Sequence, residues 1–182
     1  MNGFRKVSDS FIAALVAQCP TFEGVGIAVP TSGNKFILVH DGRAGGDFPR
    51  VSIDDRKGEF FYIRLKGDIE ESKVIGRGSC SNDNRITAKC KLVMQSECLD
   101  PMQLVEHFLP GLRAFKSKTI TPSLTGATAS PKSYNLDFAA IAKSEVADEE
   151  KDGTTGWDGA HYLASIDFEL TYIVDCSQNC DC

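Results

Sequence analysis

The hydrophobic pattern is most regular between Arg85 and Phe115. From Arg85 to Gln95, residues Ile86, Ala88, Cys90, Leu92 and Met94 fall on one side of a two-residue period, while Arg85, Thr87, Lys89, Lys91 and Gln95 fall on the other. That period predicts a half-buried strand, with Val93 as the exception. Asp100 and Pro101 then supply an N-cap and a proline at the first helical position, and Leu104, Val105, Phe108, Leu109, Leu112 and Phe115 recur at helical spacing. Pro110 has no N–H and its ring opposes the carbonyl of Glu106, which predicts a break or kink near Leu109.

Other elements follow from the same two periods. Phe11, Ile12, Leu15, Val16 and Cys19 predict a helix over about Val7 to Cys19, capped by Ser8 or Asp9 and ended by Pro20. Val25–Val29 and Lys35–His40 read as a hairpin turning at Pro30–Asn34. Glu59–Lys66 alternates Phe61, Ile63 and Leu65 against Phe60, Tyr62, Arg64 and Lys66, so both sides carry bulk. Gly67-Asp68 marks a turn after which Ile69–Ile75 returns beside it. In Tyr162–Val174, Tyr162, Ile166, Phe168, Leu170, Tyr172 and Val174 oppose Asp167, Glu169 and Thr171. This strand is expected to pair with Arg85–Gln95, its acids standing beside Lys89 and Lys91.

Between these elements the composition shifts. Lys116–Ser133 is rich in threonine, serine and proline, and Ser144–Ala160 is acidic and contains glycine, with a short apolar patch around Leu136, Phe138 and Ile141. The expected organisation is an α+β core domain from residues 1–115 and 162–175, its antiparallel or mixed sheet carrying two helices on one face. Residues 116–161 form a long loop excursion or arm before the last strand, and 176–182 a cysteine-containing tail. Loops of that length in small domains usually serve a function or an interface. Trp157, the only tryptophan, reads either as a ring folded over the core or as an anchor on another subunit.

Charge and cysteine narrow the function classes. A net charge of -5 over 182 residues gives no support to general polyanion binding, which takes a concentrated basic surface. The short apolar run after Phe11 stops at Gln18 and keeps helical spacing, so it reads as a helix rather than a signal peptide. The seven cysteines are Cys19, Cys80, Cys90, Cys98, Cys176, Cys180 and Cys182, an odd count that suits a reducing compartment. Only Cys176, Cys180 and Cys182 cluster, and they do not form the paired knuckles of a structural zinc site. They read as a reduced tail, with a metal site or a disulfide within the tail as the other readings.

Catalytic patterns are scarce. The glycine-rich stretch Asp41–Asp47 lacks the GK[ST] ending of a P-loop, and Ser79 lies outside any G-x-S-x-G elbow. His40, His107 and His161 have no second ligand at metal spacing, and Asp54-Asp55 before Arg56-Lys57-Gly58 reads as a solvated turn. No catalytic residue, metal or cofactor is expected, and the chain is not read as an enzyme.

The order helix, antiparallel strands, helix, closing strand resembles the tail-terminator and tail-completion neck proteins of long-tailed bacteriophages, particularly those of the Bacteroidetes group. Three stretches carry the resemblance: Asp54-Asp55-Arg56 leading into Glu59–Lys66, the strand Arg85–Gln95 with its helix, and the closing Ala164–Tyr172 followed by a cysteine-bearing end. The resemblance implies a structural virion protein made in the host cytoplasm. It implies self-association into a ring, by resemblance a hexamer, contacts with the tail tube protein and the head-tail connector, and DNA passing through the lumen without specific recognition. Another head-completion or tail-tube protein is the nearest alternative, and a cytosolic metal-binding regulator using the terminal cysteines is a more distant one. For subunit contacts the candidates are Arg64, Lys66, Arg85, Lys89 and Lys91 on the sheet, meeting Asp148, Glu149 and Glu150 of a neighbour, with Trp157 as an anchor.

Overall fold

A computed structural model describes residues 2–30, 36–39, 58–74, 83–145 and 162–175. Its first helix, α1 (Asn2–Gln18), begins a turn earlier than its expected start, because Phe4 and Val7 extend the stripe that Phe11 and Leu15 continue. Ser8 and Asp9 therefore lie inside the helix and do not cap it. The second helix, α2 (Pro101–Ala114), carries a full capping box. Asp100 Oδ1 accepts from the Met102 and Gln103 amides, both at 2.9 Å, and the Asp100 amide donates to Gln103 Oε1 at 3.0 Å.

Of the break or kink expected near Leu109, a break is not found: α2 runs through Pro110. Pro110 is exposed and forfeits only its own amide bond. Buried Leu104, Val105 and Phe108 before it, and Gly111 and Leu112 after it, hold both halves of the helix against the core.

The described strands are β1 (Glu23–Pro30), β2 (Phe36–Val39), β3 (Phe60–Lys73), β4 (Asn84–Ser96), β5 (Lys116–Thr121), β6 (Leu124–Asn135) and β7 (Tyr162–Val174). They form one sheet in the order β2-β1-β3-β4-β7-β6-β5, curled into a half-barrel. β1 runs parallel to β3 and every other neighbouring pair is antiparallel, so the fold is α+β with a mixed sheet. β1 and β2 form the expected hairpin, whose turn lies outside the described residues. β4 and β7 pair along their whole length, with Lys89 opposite Glu169 and Lys91 opposite Asp167, as the charge pattern suggested.

Two expectations are corrected here. Ile69 does not start a returning strand, because β3 continues past Gly67 as a bulge with Leu65 opposite Cys90 and Ile69 opposite Ala88. Gly67 takes a φ of 76°, which a residue with a Cβ adopts only under strain, and the bulge keeps both Leu65 and Ile69 on the apolar side. Lys116–Asn135 is likewise no loop excursion: β5 and β6 complete the sheet beyond β7. Serine and threonine suit a strand at a sheet edge, and Leu124, Ala127 and Ala129 supply the few buried positions the sheet needs there.

α1 and α2 cover one side of the sheet, as expected for two helices on one face. Phe4, Val7, Phe11, Leu15, Leu104, Phe108 and Leu112 share a core with Phe61, Ile63, Cys90, Leu92, Ile166 and Phe168. A third helix, α3 (Phe138–Glu145), starts where Asp137 Oδ1 accepts from the Ala140 amide at 3.1 Å. It covers one end of the opposite side, where Phe138 and Ile141 pack with Val25, Phe60, Tyr62, Val93 and Leu163. Val93, the exception in the β4 pattern, and the bulk on both sides of β3 are thereby explained.

Candidate functional site

Beyond α3, the second side of the sheet is polar, and its residues align in rows across β3, β4, β7 and β6. Tyr62, Val93, Ser165 and Asn135 form the row nearest α3. Arg64, Lys91, Asp167 and Ser133 form the next, and one further along Lys89 faces Glu169, which faces Ser130. Glu70, Thr87, Thr171 and Thr128 follow, then Ser72, Arg85, Ile173 and Thr125. Alternation along each strand puts these side chains on one surface because their apolar neighbours occupy the other.

This surface holds together every described residue among the candidates: Arg64 and Lys66 from β3, and Arg85, Lys89 and Lys91 from β4. Asp148, Glu149, Glu150 and Trp157 lie outside the described residues. Sequence reasoning did not place Glu70, Lys132 or Ser133 here. Glu70 belonged to a supposed returning strand and Lys132 and Ser133 to a supposed loop; the weak alternation of Leu124, Ala127 and Ala129 was the only signal for β6.

The charges are tied together across strands, often diagonally. Lys66 Nζ donates to Asp167 Oδ2 at 3.0 Å, passing β4, and Ser133 Oγ donates to the same oxygen at 3.3 Å. Asp167 Oδ1 is shielded from solvent and has no hydrogen-bond partner. Lys132 Nζ lies 2.9 Å from Glu169 Oε2. Lys89 donates to Glu70 rather than to Glu169 opposite it, and that hydrogen bond and charge, reinforced by Glu169, hold the ammonium pKa above its ordinary value. Each such exposed pair contributes about 0–1 kcal/mol, so the network orients side chains more than it stabilises the fold. Among the described residues the surface carries Arg64, Lys66, Arg85, Lys89, Lys91 and Lys132 together with Glu70, Asp167 and Glu169, in a chain that is acidic as a whole.

At the α3 end of β4 a separate polar latch sets the path into α2. The buried Ser96 Oγ accepts from the Cys98 and Leu99 amides at 3.0 and 2.7 Å and donates to Glu59 Oε1 at 2.9 Å. Glu59 also accepts from the Glu97 amide at 3.1 Å, joining the start of β3 to this turn.

Among the described residues, thiols and imidazoles do not converge on the charged surface; His40 and His161 lie outside the described residues. Cys19 and Cys90 are buried and Cys98 is exposed, while Cys80 and the three terminal cysteines lie outside the described residues. Burial pushes the Cys90 thiol up to about 12. His107 is exposed and packs against Phe22 with the rings tilted by 37° and centroids 5.5 Å apart. Among the described residues no three histidine, cysteine or acidic side chains are grouped to hold a metal ion, and no helix is long and apolar enough to cross a membrane. What this surface offers chemically is patterned charge on a rigid sheet. Compared with known proteins, the chain matches no family model and no curated sequence.

Proposed function

We propose that the chain is a structural virion protein of the phage neck, a tail terminator whose subunits close into a ring that caps the tail tube and joins it to the head connector. Stopping a tube and offering a docking surface both need geometry repeated around an axis, and heterologous contacts that close supply it. The observation that carries the reading is the division of the sheet. Helices α1 and α2 cover the apolar side, and beyond α3 the other side presents ordered charge among the described residues. The described parts of the three stretches that carry the family resemblance also fall on neighbouring strands β3, β4 and β7, in the middle of the sheet. Asp54-Asp55-Arg56 lies outside the described residues.

The test is the mass of the purified chain in solution, followed by end-on imaging of any oligomer. The expected result is a closed ring, six subunits by family resemblance, that joins tails to heads in a reconstitution assay. A chain that stays monomeric across the accessible concentration range, with or without tail tubes, would overturn the reading.

A further inference from the structure

We infer that α3 is a displaceable cover: it opens about Asp137 while the rest of the fold stays in place, and the apolar floor beneath it accepts a partner's short helix with the same spacing of apolar anchors. This goes beyond the ring-forming reading and does not depend on it. The sheet divides the buried side chains into two clusters that share no member. To the larger, α1 brings Phe4, Val7, Phe11 and Leu15, and α2 a comparable set. To the smaller, among the described residues, α3 brings only Ile141 and the partly buried Phe138. Lifting α3 therefore takes nothing from the larger cluster, and elements with few buried apolar contacts open before the whole does.

The bonds that start α3 are local. Asn135 Oδ1 accepts from the Asp137 amide at 2.9 Å, Asp137 Oδ1 from the Ala140 amide at 3.1 Å, and the Asp137 carbonyl from the Ile141 amide at 3.0 Å. Leu136 packs against the larger cluster and Phe138 against the smaller, so the chain passes from one side of the sheet to the other around Asp137. A pivot there moves the helix with its cap intact and leaves β6 where it is.

Opening uncovers Val25 of β1, Phe60 and Tyr62 of β3, Val93 of β4 and Leu163 of β7, each now at most 2% exposed. Beyond them the described part of this side of the sheet is polar, so the floor is a bounded apolar site. Such a site takes an amphipathic helix by anchors three or four residues apart. The chain itself shows what fits: an aromatic and, three residues later, a branched aliphatic, on a helix capped by an acid. A partner helix of that pattern competes with α3 for one floor, and without it α3 keeps the floor from water.

Hydrogen exchange of the full-length chain, followed by mass spectrometry, tests the opening. Fragments covering α3 should exchange roughly a hundredfold or more faster than those covering β4. A labelled peptide with the sequence of residues 135–145 tests the floor, read by fluorescence anisotropy. In the parent the resident α3 competes, so Phe138→Ala in the full chain should tighten peptide binding by roughly tenfold, because the open form is more populated. A peptide carrying Ile141→Asp should not bind, since its carboxylate would enter an apolar floor. Exchange of α3 and β4 at one common rate would overturn the inference. So would loss of the native circular dichroism in Phe138→Ala, because a cover that opens alone does not hold up the rest of the fold. Fast exchange without peptide binding, or equal binding of the two peptides, would also end it. The mass of the parent in solution bears on the ring reading alone, so the two fail separately.

Discussion

Within β4, residues one position apart live in different surroundings. Ala88, Cys90, Leu92 and Met94 are at most 1% exposed beneath the two long helices, while Arg85 and Lys89 stand in solvent on the other side. The covered side gains from area removed from water, about 25 cal/mol per Å², a term that depends little on which apolar residue supplies it. The open side gains little from any single pair, but its charges distinguish the observed alignment of β7 from alignments shifted by two residues. Stability and alignment are thus assigned to opposite sides of one strand.

The largest way to break that division is Phe108→Ala. Phe108 is fully buried and meets Phe22 and Phe61 edge-on, at 4.9 and 5.2 Å between ring centroids, so its loss should cost about 3–5 kcal/mol in urea unfolding. Next comes Gly24→Ala on β1. An added Cβ would lie 2.6 Å from Ile12 Cγ2 and 3.1 Å from Phe61 Cζ, and the displacement of α1 should cost about 1–3 kcal/mol. Ser8→Ala should reverse the sign. Its hydroxyl is fully buried without a hydrogen-bond partner, so removing it should raise stability by up to roughly 1 kcal/mol, readable as a higher melting temperature. Lys66→Ala, on the open side, should change stability least, by about 0–1 kcal/mol, and a larger loss would mean that the charge network holds the fold.

A pH titration sharpens the same comparison. Burial raises the Cys90 thiol and the Tyr172 phenol each to about 12, from ordinary values of 9.0 and 10.0. A group whose folded pKa is raised stabilises fully below its unfolded pKa and loses that contribution as pH rises toward the folded one. Stability should therefore fall from about pH 9 upward. Cys90→Ala should flatten the first part of that fall, measured by urea midpoints across the range. Alkylation under native conditions near pH 8 should reach exposed Cys98 and leave Cys90 unmodified.

What was legible in the sequence follows the same line. β4, β7, their pairing and the cap of α2 could be read because period and capping chemistry are local and each had one strong signal. Val93, Phe60 and Tyr62 looked irregular because they answer to α3, which is distant in sequence and short. Pro110 misled because local propensity was outweighed by burial on both sides of it. β5 and β6 were read as loop because a strand that borrows its core from α2 and β7 needs few apolar residues of its own. Arg64, Lys66, Arg85, Lys89 and Lys91 were found from alternation alone. Glu70, which pairs with Lys89, and Lys132, which pairs with Glu169, were not, since a bulge at Gly67 and an unrecognised strand set where they point.

The place of β7 bears on how the molecule comes off the ribosome. Every other described strand is made before it, yet it lies between β4 and β6 and faces residues far earlier in the chain, from Gln95 opposite Leu163 back to Asn84 opposite Val174. Until it arrives, a nascent chain holds two separate half-sheets, each with a long unsatisfied edge open to pairing with another molecule. Closing contacts this distant is slow relative to forming the local hairpins. Polypeptides halted before Tyr162 should accordingly aggregate or require chaperones, while adding β7 in one step removes both open edges and unites the halves around a single core.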